Sequence, residues 1–156
     1  MALQTYVESG DFAAYAQLGG IATIRSYCGK VYGDVHAALV KCIPSAHHEF
    51  LADLAPYLET DEYLFSHAGY SPAEPLDRSV SSMVLHSHQT LFMGETPLPK
   101  VAVCGHYFQR THLPIMADHI ICLDTGCGIL GGPLTAAFLP ERCLWQVSPQ
   151  LGLESI

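Results

Sequence analysis

Two histidines stand where the local pattern puts an imidazole at the tip of a strand. The apolar run Val101-Ala102-Val103-Cys104 stops at Gly105-His106, and Tyr63-Leu64-Phe65 runs out into Ser66-His67-Ala68-Gly69. A side chain held just beyond a strand end, on a loop carried by a rigid scaffold, is well placed for binding or catalysis. Taken singly, either strand-tip histidine is more often structural than a ligand. A third pattern, Leu85-His86-Ser87-His88, puts two imidazoles on one face of an extended segment, which could share an ion. No carboxylate is spaced to complete that pair, so a surface-exposed pair is the competing reading. A second apolar run, His119-Ile120-Ile121-Cys122-Leu123, ends in Asp124-Thr125-Gly126. There the carboxylate reads as a turn-forming group that binds backbone amides rather than as a ligand.

The elements that must position these residues follow from periodicity and punctuation. Leu3 and Val7 at helical spacing give a first helix broken at Gly10. Asp11 caps a second, over Phe12 to Leu18, which ends at Gly19-Gly20, and Ile21 to Tyr27 forms a third. Val35, Ala38, Leu39 and Cys42 recur as a helical stripe with Asp34 at the N-cap. A further helix starts at Ile43-Pro44-Ser45, with Ser45 expected as its cap, Phe50, Leu51 and Leu54 on one face, and Pro56 as its stop. His47 and His48 on that helix are read as solvated. After the glycine turn at Gly128, Gly131 and Gly132, Leu134 to Leu139 and Cys143 to Val147 read as two strands around Pro140-Glu141-Arg142.

Cys104-Gly105-His106, Leu123-Asp124-Thr125-Gly126 and Leu134-Thr135-Ala136-Ala137-Phe138-Leu139-Pro140 together resemble the C-terminal motifs of the calcineurin-like metallophosphoesterases, in the branch of serine/threonine phosphatases and symmetrical diadenosine tetraphosphate hydrolases. Upstream, Gln17 to Ile24 is similar to that family's NGGxAT segment. The stretch from Ile43-Pro44 through Glu59-Thr60 is similar to its IPxxHxxFLxxLPLYYET stretch, and Asp61 to Gly69 to its DDYIFVHAG segment. Tyr107 stands where the family usually has Thr, and Ser87-His88-Gln89 where Trp and a phosphate-binding Arg are usual. Gly33-Asp34-Val35-His36-Ala37 falls one residue short of the GDxHG metal motif and reads as a helix cap.

The resemblance implies an α/β fold, an incomplete α/β/β/α metallophosphoesterase sandwich in which N-terminal helices (1–58) precede a mainly antiparallel second sheet (59–156), all within one partial domain. It implies metal-ligand positions for His67 and His106, divalent Mn, Fe or Zn as the metals that imidazoles suit better than Mg, and a two-metal phosphoester hydrolysis in which a bridging hydroxide attacks phosphorus in line. It also implies that the GDxHG, GDxxDRG and GNHE motifs, with their bridging carboxylates, are missing, so that the chain is a C-terminal fragment inactive alone. The expected substrate is a phosphoprotein or dinucleoside polyphosphate. The expected partner is an N-terminal half or a second copy covering an exposed sheet. Two other classes stay open: a pseudophosphatase or interaction module, and a mononuclear metal protein using His86, His88, His106 and Asp124.

Bulk properties bound the partners. Seven basic against fifteen acidic residues give a net charge of −8, which argues against nucleic acid and anionic membranes. A phosphorylated substrate is not excluded, since a metal can supply positive field locally. Six cysteines without a CxxC pair fit a reducing cytoplasm. Hydrophobic residues make up 49% of the chain and mean hydropathy is +0.23, yet no run approaches a membrane span. The surplus apolar surface must therefore face a core, a partner or a further part of the fold.

Overall fold

The computed structural model describes residues 2–70, 99–128, 131–148 and 152–155. His86 and His88, Arg78 and the Ser87-His88-Gln89 segment lie outside them. The chain divides after Leu54 into a helical unit and a sheet unit, Ala55–Ile156. No described helix is long and apolar enough to cross a membrane.

The helical unit holds α1 (Ala2–Ser9), α2 (Phe12–Gln17), α3 (Gly20–Cys28), α4 (Val35–Cys42) and α5 (Ser45–Asp53). Both expected aspartate caps form: Asp11 accepts from the amide of Ala14, and Asp34 from that of Ala37 at 2.9 Å. Asp34 is thus a capping residue, and the Gly33-to-Ala37 run opens a helix. His36 next to it bonds the Val7 carbonyl through Nε2 at 2.9 Å and packs edge-on against Tyr6. At α5 the expectation fails by one residue: Pro44 is the N-cap and Ser45 already helical, because the Pro44 carbonyl accepts the amides of His47 and His48. Tyr6, Tyr15, Ile24, Leu39 and Ile43 form the core, with the Tyr6 and Tyr15 rings stacked at 4.4 Å. Phe50 and Leu54, read as part of one apolar helix face, are mostly exposed.

The sheet unit contains β1 (Tyr57–Glu59), β2 (Tyr63–Ser66), β3 (Val101–Cys104), β4 (Ile115–Met116), β5 (Ile120–Cys122), β6 (Leu134–Phe138), β7 (Cys143–Ser148) and β8 (Gly152–Ser155). The first five make one sheet in the order β1-β2-β3-β5-β4, and the last three make a second, wholly antiparallel one. The three central strands run parallel, in a register that aligns Leu64, Ala102 and Ile120, while both outer pairs are antiparallel. Parallel strands need apolar residues on both faces, and these have them. Leu64, Ala102, Cys104, Ile120 and Cys122 pack on one side, and Tyr63, Val103 and Ile121 on the other. The architecture is therefore helices followed by a mixed sheet and an antiparallel sheet, as the α/β expectation has it, with the parallel trio at its centre.

The smaller sheet is amphipathic in an unusual sense. Along β6, Leu134, Ala136 and Phe138 are exposed while Thr135 is buried. Their cross-strand neighbours on β7 are Val147, Trp145 and Cys143, so one face of this hairpin is apolar and open. The side chains of Thr135 and Gln146 instead hydrogen bond to one another.

Candidate functional site

Parallel pairing of β2 with β3 brings the ends of two sequence-distant strands side by side. The His67 and His106 rings meet as a result, with Nε2 of His67 3.0 Å from Nδ1 of His106 and the ring planes at 73°. Both imidazoles are exposed and open onto a cleft of about 730 Å³ that Ser66, Leu123, Asp124 and Thr125 also line. Thus the two histidines read from the sequence as strand-tip residues share one site. Only one nitrogen of the contact can carry the proton, so at least one of the two rings is an acceptor, with a lone pair in this geometry.

The turn bearing His106 is strained and heavily tied. His106 has φ 62°, a left-handed conformation that costs a β-carbon-bearing residue about 1–3 kcal/mol unless its surroundings impose it. The Gly105 amide donates to the His67 carbonyl at 2.9 Å and the Tyr107 amide closes back onto the Gly105 carbonyl at 2.6 Å. Below, the buried Cys122 thiol reaches the carbonyls of Gly105 and Tyr107, both at 3.5 Å. Tyr107, the departure from the family pattern, gives its hydroxyl to the Ala68 carbonyl at 2.8 Å and sets its ring edge-on to His106 at 5.4 Å. One residue thereby holds both histidine loops, an arrangement that spacing alone could not reveal.

Electrostatics favour a neutral His67. Partial desolvation pushes its pKa below the ordinary 6.5, and the neighbouring His106 lowers it further, while Asp124 pulls the other way. Asp124 itself accepts the Gly126 amide through Oδ1 at 3.1 Å, which makes it the turn-forming residue expected. The turn leaves no space beyond: Gly126 has φ +83°, and a β-carbon there would lie 2.3 Å from Cε2 of Phe108. The buried Cys104 thiol is pushed up by its hydrogen bond to Cys122 and by burial, so it stays a protonated packing group behind the site.

A buried hydroxyl chain fixes the wall of the cleft. Thr125 donates to the Pro133 carbonyl at 2.8 Å and lies 2.6 Å from the Thr135 hydroxyl. Gln146 donates to Thr135 at 2.9 Å and to the His112 carbonyl at 2.7 Å. With one proton per hydroxyl, Thr135 must donate to Thr125. No periodicity signals this network, because it joins two loops and a hairpin through single polar residues.

Among the described residues, no group of three His, Cys, Asp or Glu side chains could hold a metal ion. His67 and His106 supply two nitrogen donors where a closed site takes about four ligands.

No family model and no curated protein matches this sequence. A crystal structure of a protein provisionally named a diadenosine tetraphosphatase is similar to it at 21% identity, with a TM-score of 0.51 over 92% of this chain and 75% of that one. That likeness shows the fold. The helices, mixed sheet and antiparallel sheet match part of that protein's architecture.

Proposed function

We propose that the chain contributes the two-histidine part of a metal-dependent phosphoester hydrolase site, with His67 and His106 as ligand-position residues. The observation that carries this reading is the imidazole pair at the tips of adjacent parallel strands, in direct contact and facing an open cleft. A His67 held neutral has the protonation state a metal ligand needs, and the fold is that of a phosphoesterase-type neighbour. The described residues do not complete a metal site. The remaining ligands, carboxylates among them, would come from residues outside the described ones or from another polypeptide. Mn, Fe or Zn would suit the imidazoles, and a dinucleoside polyphosphate or phosphoprotein would be the substrate. We place the protein in a reducing compartment such as the cytoplasm, because its buried Cys104 and Cys122 are free thiols.

A second reading has its own support. The open apolar face of β6 and β7, with Leu134, Phe138 and Val147 exposed, fits a pseudophosphatase that binds protein through its sheet.

Titration of the purified chain with Zn²⁺ and Mn²⁺, alongside hydrolysis of p-nitrophenyl phosphate and diadenosine tetraphosphate, separates the two. Weak binding that is lost in both His67→Ala and His106→Ala, with no turnover by the chain alone, is expected. Metal content unchanged in His106→Ala would refute the ligand assignment, and turnover by the unaided chain would refute its incompleteness.

A further inference from the structure

The helical unit carries a groove that the phosphoesterase reading does not use. It measures about 640 Å³ and is walled by Phe12, Ile21, Ile24, Val31 and Val35, from α2, α3, α4 and the connection between the last two. That volume lies within the about 300–1,000 Å³ of small-molecule sites. Phe12 and Ile21 are 45% and 42% exposed, so the groove leaves apolar surface in water that packing within the unit does not cover. Tyr32 stands at its edge, 89% exposed.

The charges along it run against the rest of the chain. Fifteen acidic residues outnumber seven basic ones overall, yet the groove is lined by Arg25 and Lys30 and by no acid. Neither cation forms an ion pair among the described residues, whereas Lys100 and Arg142 do. Both sit at the C-terminal end of α3 or just after it, on the segment that borders the apolar wall. A cation left free beside a concave apolar surface favours a ligand that places an anionic group on the rim and hydrocarbon in the groove.

We propose that this groove binds a single-chain amphiphile with a carboxylate head, the head meeting Arg25 and Lys30 and the tail lying along Phe12, Ile21, Ile24, Val31 and Val35. Arg25 offers a planar pair of donors matched to a carboxylate and Lys30 a mobile point charge. The phosphoesterase reading plays no part in this assignment.

The test uses the full chain with dodecanoate below its micelle concentration, followed by calorimetry and by methyl chemical shifts. Saturable one-to-one binding is expected, with shifts confined to Ile21, Ile24, Val31 and Val35. Replacing both exposed cations, as Arg25→Gln with Lys30→Gln, should weaken binding about tenfold or more, and dodecyltrimethylammonium should bind more weakly than dodecanoate to the unaltered chain. Three results would each overturn the proposal: no saturable binding, shifts centred on Leu134 and Val147 instead, or an affinity indifferent to the sign of the head group. Binding of an acidic, leucine-rich peptide at these methyls where dodecanoate fails would also overturn it and assign the groove to a protein.

Discussion

Replacing Thr135 by Val tests whether the buried hydroxyl chain holds the cleft wall. The substitution keeps the side chain's shape and removes its oxygen, and with it the bond accepted from Gln146 at 2.9 Å and the one donated to Thr125 at 2.6 Å. Thr125 is 2% exposed, so its hydroxyl keeps only the Pro133 carbonyl as partner and no water replaces the lost donor. Gln146 is half-buried and can recover part of its loss from solvent. Each hydrogen bond contributes about 0.5–1.5 kcal/mol, and a stranded buried group costs about 1–3 kcal/mol, so a destabilisation of about 2 kcal/mol is expected. With a urea m-value of about 1–3 kcal/mol/M for a small domain, the unfolding midpoint should fall by about 1 M at unchanged slope. Thr135→Ser keeps the hydroxyl and gives up one methyl, at about 0.8 kcal/mol. If Val and Ser shifted the midpoint equally, or if Val left it unmoved, the hydroxyl chain would not be the source of stability and the reasoning would fail.

Three further outcomes follow from the same unit. His67 has a folded pKa below its unfolded 6.5, so the unfolded state binds more protons between those values, and stability should fall as pH drops through 6.5 toward the folded value. His67→Gln should flatten that slope in thermal melts. By proton NMR, His106→Ala should raise the His67 pKa and Asp124→Asn should lower it, and a reversed order would contradict the assigned causes. Gly132→Ala should cost about 1–3 kcal/mol and broaden the Thr125 and Thr135 resonances, because the new β-carbon would overlap the Thr125 carbonyl, which belongs to backbone and cannot swing aside. An alanine variant with the melting temperature of the original chain would show that the loop yields.

Much of this architecture can be read from the chain because its signals are local. The caps at Asp11 and Asp34 need only a short polar side chain three residues before an amide, and both form. The strands that carry the histidines are short apolar runs closed by glycine, and they fall where expected. β1 and β4 escape notice because they are three and two residues long and lie at sheet edges, without the two-sided burial that marks β3 and β5. Pro44 displaces Ser45 at the start of α5 since a carbonyl, not a side chain, satisfies the first amides. Phe50 and Leu54 show the limit of periodicity: a helical stripe of apolar residues says which face could be covered, not that anything in this unit covers it. The contact between His67 and His106 depends on parallel pairing across 39 positions of sequence, and the Tyr107 bridge on the turn geometry that pairing creates.

The parallel register of β2 with β3 has a consequence for how the imidazole spacing can vary. Phe65 pairs with Val103, so each histidine follows its paired strand by a fixed count of residues, and the offset of the two histidine backbones is set by the main-chain ladder. Sliding one strand past the other by a single residue would carry one ring about 3.3 Å along the strand axis and turn every strand side chain to the opposite face. That would take Leu64 off the face it shares with Ala102 and Ile120 and force Tyr63 or Phe65 into its place. The offset between the two histidine backbones is therefore quantised, and only side-chain rotation adjusts the gap between the nitrogens. Substitutions in the cleft lining can retune its polarity, its volume and the tilt of the rings, but they cannot shift the two histidine backbones by small increments, because the only available steps unmake the sheet.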